Sequence, residues 1–391
     1  MADPTPTPPP TWRDYLPPAA TVRTVALYLL TAALSVVAAR YGFPPPPKLV
    51  EVEVVKQVPA PVVADAPPVI PTGWVADPDE VQAVVGRIHP PVFRDTPAGQ
   101  AEDLPPAVYL WKAYEKLPIR GPPIKNQGQV GSCVSFGTNA AVERTLAAEV
   151  AAGQPWEWVR FTEEATYGGS RVEVGGGRIR GDGSVGAWAA EFVTKWGMLP
   201  RQKYDQADTT TYSESLCRQW GDRGVPDNLE PVTRKYPVKD TTRITTWADA
   251  KKANASGYGI AVCSNQGFSM QRDARGVARP SGSWAHCMCL DGYHTEGGRE
   301  FGHITNSWGA DAHKGPVGWG NPGPDGFWAE AAVVDRMLRQ GDSWAFSGAT
   351  GFPAKVLPDW FIHRAEPARR PFDVFARRPL TDRAPPSSVG W

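Results

Sequence analysis

Pro123-Ile124-Lys125-Asn126-Gln127-Gly128-Gln129-Val130-Gly131-Ser132-Cys133-Val134-Ser135-Phe136-Gly137 sets one cysteine where a glycine-rich loop meets a run, Ser132 to about Val150, rich in Ala, Val, Leu and Glu. That run predicts a helix. A helix start presents unpaired N–H groups and the positive end of the dipole, so a thiol there is pushed toward thiolate, its nucleophilic form. A free cysteine is more often a small buried hydrophobe, and Cys133 by itself would be read that way. Its company changes the balance. Gln127 lies six positions earlier, and two later segments supply a histidine and an asparagine: Ser283-Trp284-Ala285-His286-Cys287-Met288-Cys289-Leu290-Asp291-Gly292-Tyr293 and His303-Ile304-Thr305-Asn306-Ser307-Trp308-Gly309.

Together the three segments resemble the active-site boxes of the papain-like cysteine peptidases, over roughly Leu110 to Leu338. The pattern Gln-Gly-x-x-Gly-Ser-Cys-x-x-Phe and the tetrapeptide Asn-Ser-Trp-Gly match residue for residue. Val130 stands where the family usually has a disulfide cysteine, and Val134 replaces the aromatic after the nucleophile. The distance from Cys133 to His286 exceeds the family's usual spacing, as an insertion between the boxes would produce.

The resemblance implies an α+β, two-lobed papain-like fold: a helical left lobe carrying Cys133 and an antiparallel, sheet-rich right lobe carrying His286. It implies peptide hydrolysis without a cofactor or metal, on a peptide or protein substrate. Cys133 would be the nucleophile and His286 its proton carrier, chosen because it precedes an apolar strand ending Asp-Gly-Tyr. Asn306 would orient the imidazole, and Gln127 with the Cys133 N–H would form the oxyanion hole. Gly183 would pair with substrate backbone, and Trp308 would shield the His286–Asn306 hydrogen bond. His294, His303 and His313 read as surface or strand histidines. Family zymogens carry a helical inhibitory propeptide; nothing ahead of residue 107 reads as one, which leaves the restraint on activity open. A catalytically silent binding module and a Cys-dependent acyl transferase or transpeptidase are the competing readings.

Lys+Arg and Asp+Glu both total 41 in 391 residues, a balance that argues against a nucleic-acid binder. Five cysteines in a chain too large to need staples imply no disulfide framework. His286, Cys287 and Cys289 lack a second ligand pair, so a buried strand is preferred over a zinc site.

The forty-one prolines crowd the two ends. Residues 1–20 read as a proline-rich tail. Residues 21–43, with no charge from Thr24 to Ala39, read as a transmembrane helix or signal anchor. Residues 44–106 read as a proline-rich stalk, 107–345 as the peptidase domain and 346–391 as an Arg/Pro-rich tail. A single-pass membrane protein follows, monomeric, with its catalytic domain extracytoplasmic. Within the domain, helices are expected over 187–195 and 247–255 and strands over 260–264, 286–292, 300–306 and 326–330. Residues 201–240 look polar and irregular.

Overall fold

The computed structural model describes residues 72–119, 121–355 and 357. The expected tail 1–20, the apolar segment 21–43, the first part of the stalk and most of the C-terminal tail lie outside the described residues. Among the described residues no helix is long and apolar enough to cross a membrane.

The right half is a sheet of seven strands: β1 (Ala107–Tyr109), β2 (Asp240–Arg243), β3 (Ile260–Arg272), β4 (Ala278–Glu296), β5 (Arg299–Thr305), β6 (Gly326–Glu330) and β7 (Ser343–Ser347). Their order is β2-β7-β3-β4-β5-β6, with β1 paired to β4, and every named pairing is antiparallel. β3 and β4 run well beyond the short segments expected around 260–264 and 286–292.

The left half gathers α2 (Cys133–Ala151), α3 (Glu163–Gly169) and α4 (Gly186–Lys195). α2 is buried on nearly all sides, apolar faces and Thr138, Asn139, Glu143 and Arg144 alike. This explains why its residues show little sidedness: a helix enclosed all round needs no polar face. It packs on β3, β4 and β7, so its N-terminus is delivered to the seam between the halves.

The loop before α2 is fixed from below and from the side. Lys125 Nζ is buried between Glu143 Oε2 at 2.9 Å and Glu163 Oε1 at 2.5 Å, and Arg201 pairs with both Glu163 and Glu164. Burial pushes Glu163 toward its neutral form, but Lys125 and Arg201 outweigh it and hold the carboxyl down to about 2. Alongside, Gln127 N donates to Ser307 O at 2.8 Å and Gly309 N to Lys125 O at 2.9 Å. The loops carrying Gln127 and Asn306 are thereby stitched together.

Three expectations are corrected. The stalk expected over 44–106 does not run its full length: α1 (Pro78–Ile88) forms within it and docks on α4, with Arg87 Nη2 2.6 Å from Glu191 Oε2. The cause is local. Asp77 caps the helix by accepting from Glu80 N at 3.0 Å, Pro78 sits in the first turn, and Asp79 and Glu80 favour its positive end. The polar stretch 201–240 holds α5 (Glu214–Arg223), capped by Ser213 and anchored by buried Cys217 and Trp220. The domain also continues past 345, through β7 to fully buried Phe352 and to Pro353, whose carbonyl accepts from Tyr258 OH at 2.7 Å.

Candidate active site

Cys133 opens α2, with Ser132 as an N-cap that makes no side-chain cap bond. His286 lies on β4 opposite Ser264 of β3, and Asn306 follows the last residue of β5. The main-chain N–H groups of Cys287, the residue after His286, of Gly73 and of Val134 lie close enough to the Cys133 thiol to act on it electrostatically. Sulfur, ring and carboxamide therefore converge on one seam.

The hydrogen bonds around Asn306 assign every proton near the ring. The Ser307 main-chain N–H can only donate, and it lies 2.7 Å from Asn306 Oδ1, which fixes that atom as oxygen. His286 Nε2, 2.8 Å from the same oxygen, must then carry the proton and donate. In the neutral ring Nδ1 is left with its lone pair, and it has no hydrogen-bond partner among the described residues. Trp308 stacks on the His286 ring, centroids 4.4 Å apart at 23°. Gln127 is fully buried; its Oε1 accepts from Ser307 Oγ at 2.6 Å and its Nε2 donates to Val130 O at 2.9 Å.

The groove over these residues is filled by the chain itself. Gly73 N and Trp74 N donate to Ala285 O at 2.9 and 3.0 Å on the right wall. On the left wall Ser184 N donates to Gly73 O at 2.8 Å, and Val75 N donates to Ser184 O at 2.9 Å. Trp74 and Ser184 pair in parallel. Gly73 fits because it has no side chain: a Cβ there would lie 1.9 Å from Gly131 O. The Trp74 indole donates to buried Asp342 Oδ2 at 2.8 Å; Asp342 also accepts from Gly186 N and Trp344 Nε1, each at 2.8 Å.

This cover explains the protonation of the site. Burial pushes the Cys133 thiol up, reinforced by Cys287, and pushes His286 down to about 4 against the raising effect of Asn306. Both groups are neutral while the segment is seated. The thiolate expected from the helix terminus is overridden by desolvation, the larger effect in a dry site.

A sequence model described as papain family cysteine protease matches residues 109–321. The chain belongs to that family. Cysteine proteinase 2 of Entamoeba histolytica is 25% identical over 208 residues, 51% of this chain, and the match spans 58% of that relative. Among solved structures, xylellain, a cysteine protease from Xylella fastidiosa, aligns at 16% identity and a TM-score of 0.47, covering 71% of this chain and 96% of that one. The proform of the ragweed pollen cysteine protease Amb a 11 aligns at 16% identity and 0.46, covering 72% and 77%.

As a papain-family member the chain departs from expectation at four places. Gly183 does not bond along the groove: its N–H donates to Tyr167 OH at 3.0 Å and its carbonyl accepts from Arg171 Nη1 at 2.6 Å. Ser184 supplies the main-chain pair instead, while bare Gly183 lets the covering strand approach. Of the histidines expected at the surface or on strands, His294 and His303 do lie on β4 and β5, whereas His313 is on no strand and is buried, its Nε2 3.0 Å from Asn306 Nδ2. Val130, at the disulfide position, packs with Tyr167 and free Cys217 in a small apolar cluster. Finally, residues 72–75 occupy the groove although nothing ahead of 107 reads as inhibitory. Their signal is faint, a single bare glycine before a tryptophan.

Proposed function

We propose that this chain is a cysteine endopeptidase, held in a self-covered state by residues 72–75. The observation that carries the reading is the His286 ring, with its Nε2–H committed to Asn306 and its Nδ1 lone pair uncommitted beside the Cys133 seam. As the cover lifts, Nδ1 takes the proton from the Cys133 thiol, and the Sγ thiolate of the resulting ion pair attacks the scissile carbonyl. Gln127 and the Cys133 N–H receive the developing oxyanion, where losing one donor typically costs ~2.7–4 kcal/mol of barrier. The imidazolium then returns its proton to the departing amine, leaving a thioester. Water, deprotonated by the same Nδ1, hydrolyses it and frees the thiol. Asn306 keeps the ring in this tautomer through both halves, and Trp308 over the ring limits exchange with water.

A thiol-directed epoxide tests the assignment. Incubated with the full chain under conditions where the cover opens, it is expected to add once, at Cys133, leaving the other four buried cysteines unmodified. Labelling spread over several cysteines, or absent from Cys133, would remove the basis for the reading.

The uncharged run Thr24–Ala39 supports anchoring of the enzyme in a membrane through residues 21–43. The full chain should resist alkaline carbonate extraction from membranes; recovery in the soluble fraction would contradict the anchor.

A further inference from the structure

We infer that His313 is a positioning residue of this site: as a neutral acceptor it holds the Asn306 carboxamide so that its oxygen, and not its nitrogen, faces His286. The inference rests on the peptidase reading for its functional meaning, but its geometry stands independently. With Asn306 Oδ1 fixed by Ser307 N–H, the atom facing His313 Nε2 at 3.0 Å is the amide nitrogen, which can only donate. His313 Nε2 must therefore accept, so its proton resides on Nδ1. A line of fixed polarity results, from Asn306 Nδ2–H into His313 and from His286 Nε2–H into Asn306 Oδ1.

His313 is built to stay in that state. It is 2% exposed, its ring lies 4.6 Å from that of Phe327, and the loop carrying it is clamped by Arg272. One Arg272 guanidinium nitrogen donates to His313 O at 3.0 Å and Gly315 O at 2.7 Å, and the other to Gly326 O at 2.7 Å and Pro324 O at 3.1 Å. Burial, then the nearby charges of Arg272 and any charge on His286, push the His313 pKa down to about 3, against a raising contribution from the Ser269 main chain. A charged His313 would present a second donor to the Asn306 amide and break the line; this environment prevents it.

The alternative is that His313 merely fills space beside Phe327. Two substitutions separate the roles. His313→Leu keeps an apolar body and removes the acceptor, while His313→Gln restores an acceptor oxygen. Side-chain nitrogen NMR of the 15N-histidine-labelled full chain reads the His286 tautomer directly. Wild type is expected to show His286 protonated on Nε2 alone. In His313→Leu an Nδ1–H population appears, and in His313→Gln the wild-type signature returns. In the peptidase assay His313→Leu is expected to lower kcat about tenfold with KM unchanged, because Asn306 acts on the ring and not on substrate.

An unchanged His286 signature in a folded His313→Leu chain overturns the inference. So does a His313→Gln chain whose signature stays as altered as the leucine variant's, which would assign the effect to packing. If the leucine chain does not fold, the glutamine chain alone decides, by showing or lacking the pure Nε2–H signature. Should no form of the chain hydrolyse peptides, the peptidase reading fails while the NMR result still stands for or against His313.

Discussion

Gly73→Val is expected to raise turnover of an unstructured peptide by roughly 10²-fold or more, with the fold intact. The covering strand is held by four main-chain hydrogen bonds and by the Trp74 indole on Asp342. Each is worth ~0.5–1.5 kcal/mol net, so together they bias the groove toward the covered state by several kcal/mol. Substrate sees only the open fraction, and its apparent affinity falls by that factor. A side chain at 73 cannot coexist with the seated strand: its Cβ would sit 1.9 Å from the main-chain Gly131 O, and Cβ is placed by the backbone, so no rotamer change relieves it. Gly86→Ala, in α1 with nothing within 4 Å of the added Cβ, serves as the control and should leave turnover unchanged. A folded Gly73→Val chain no more active than wild type would mean that the strand does not restrain the site.

His286→Ala, introduced into the Gly73→Val chain, is expected to reduce turnover by at least ~10⁴-fold, since nucleophile and base act as a unit and either loss removes most of their joint contribution. The effect should fall on kcat, because the ring abstracts and returns a proton and contributes little to holding substrate. Opening the groove also changes the starting state. In the covered form burial keeps both groups neutral, with the His286 pKa down to about 4. Once water enters, the desolvation that opposes charge weakens, and thiolate and imidazolium stabilise one another alongside the α2 dipole. In His286→Ala the counter-charge is missing, and Cys133 should react as an ordinary thiol.

Much of this site is legible in the sequence because the chemistry demands particular atoms at particular places. Gln127, Cys133 and Asn306 stand in motifs that match apart from Val130 and Val134, His286 precedes an apolar run, and the helix and strand settings follow from local composition. Four of the seven strands, β3 to β6, were visible by their apolar runs, though not their length: β4 begins at Ala278 and β3 continues to Arg272 through polar, partly exposed residues that carry no alternation signal, and β1, β2 and β7 were not foreseen. The covering strand was not legible. Residues 72–75, with a single parallel bridge from Trp74 to Ser184, have no periodicity to read, and the surrounding prolines point to a stalk. Asp77-Pro78-Asp79-Glu80 did carry a helix-start signature, which the proline-rich composition obscured. His313 was illegible for another reason: its role depends on the direction of one amide, and that direction is recognised from a main-chain N–H that no motif encodes.

The rate of Cys133 alkylation as a function of pH, in Gly73→Val with and without His286→Ala, tests the pairing of sulfur and ring most directly. With His286 present, alkylation should persist at a plateau below pH ~7, under the ordinary thiol range near 8.5, and fall only in acid. Without it, the plateau should vanish and the rate should rise through a single inflection near that ordinary value. A profile that shows the single inflection in both chains would contradict a Cys133–His286 ion pair, and with it the peptidase mechanism built on that pair.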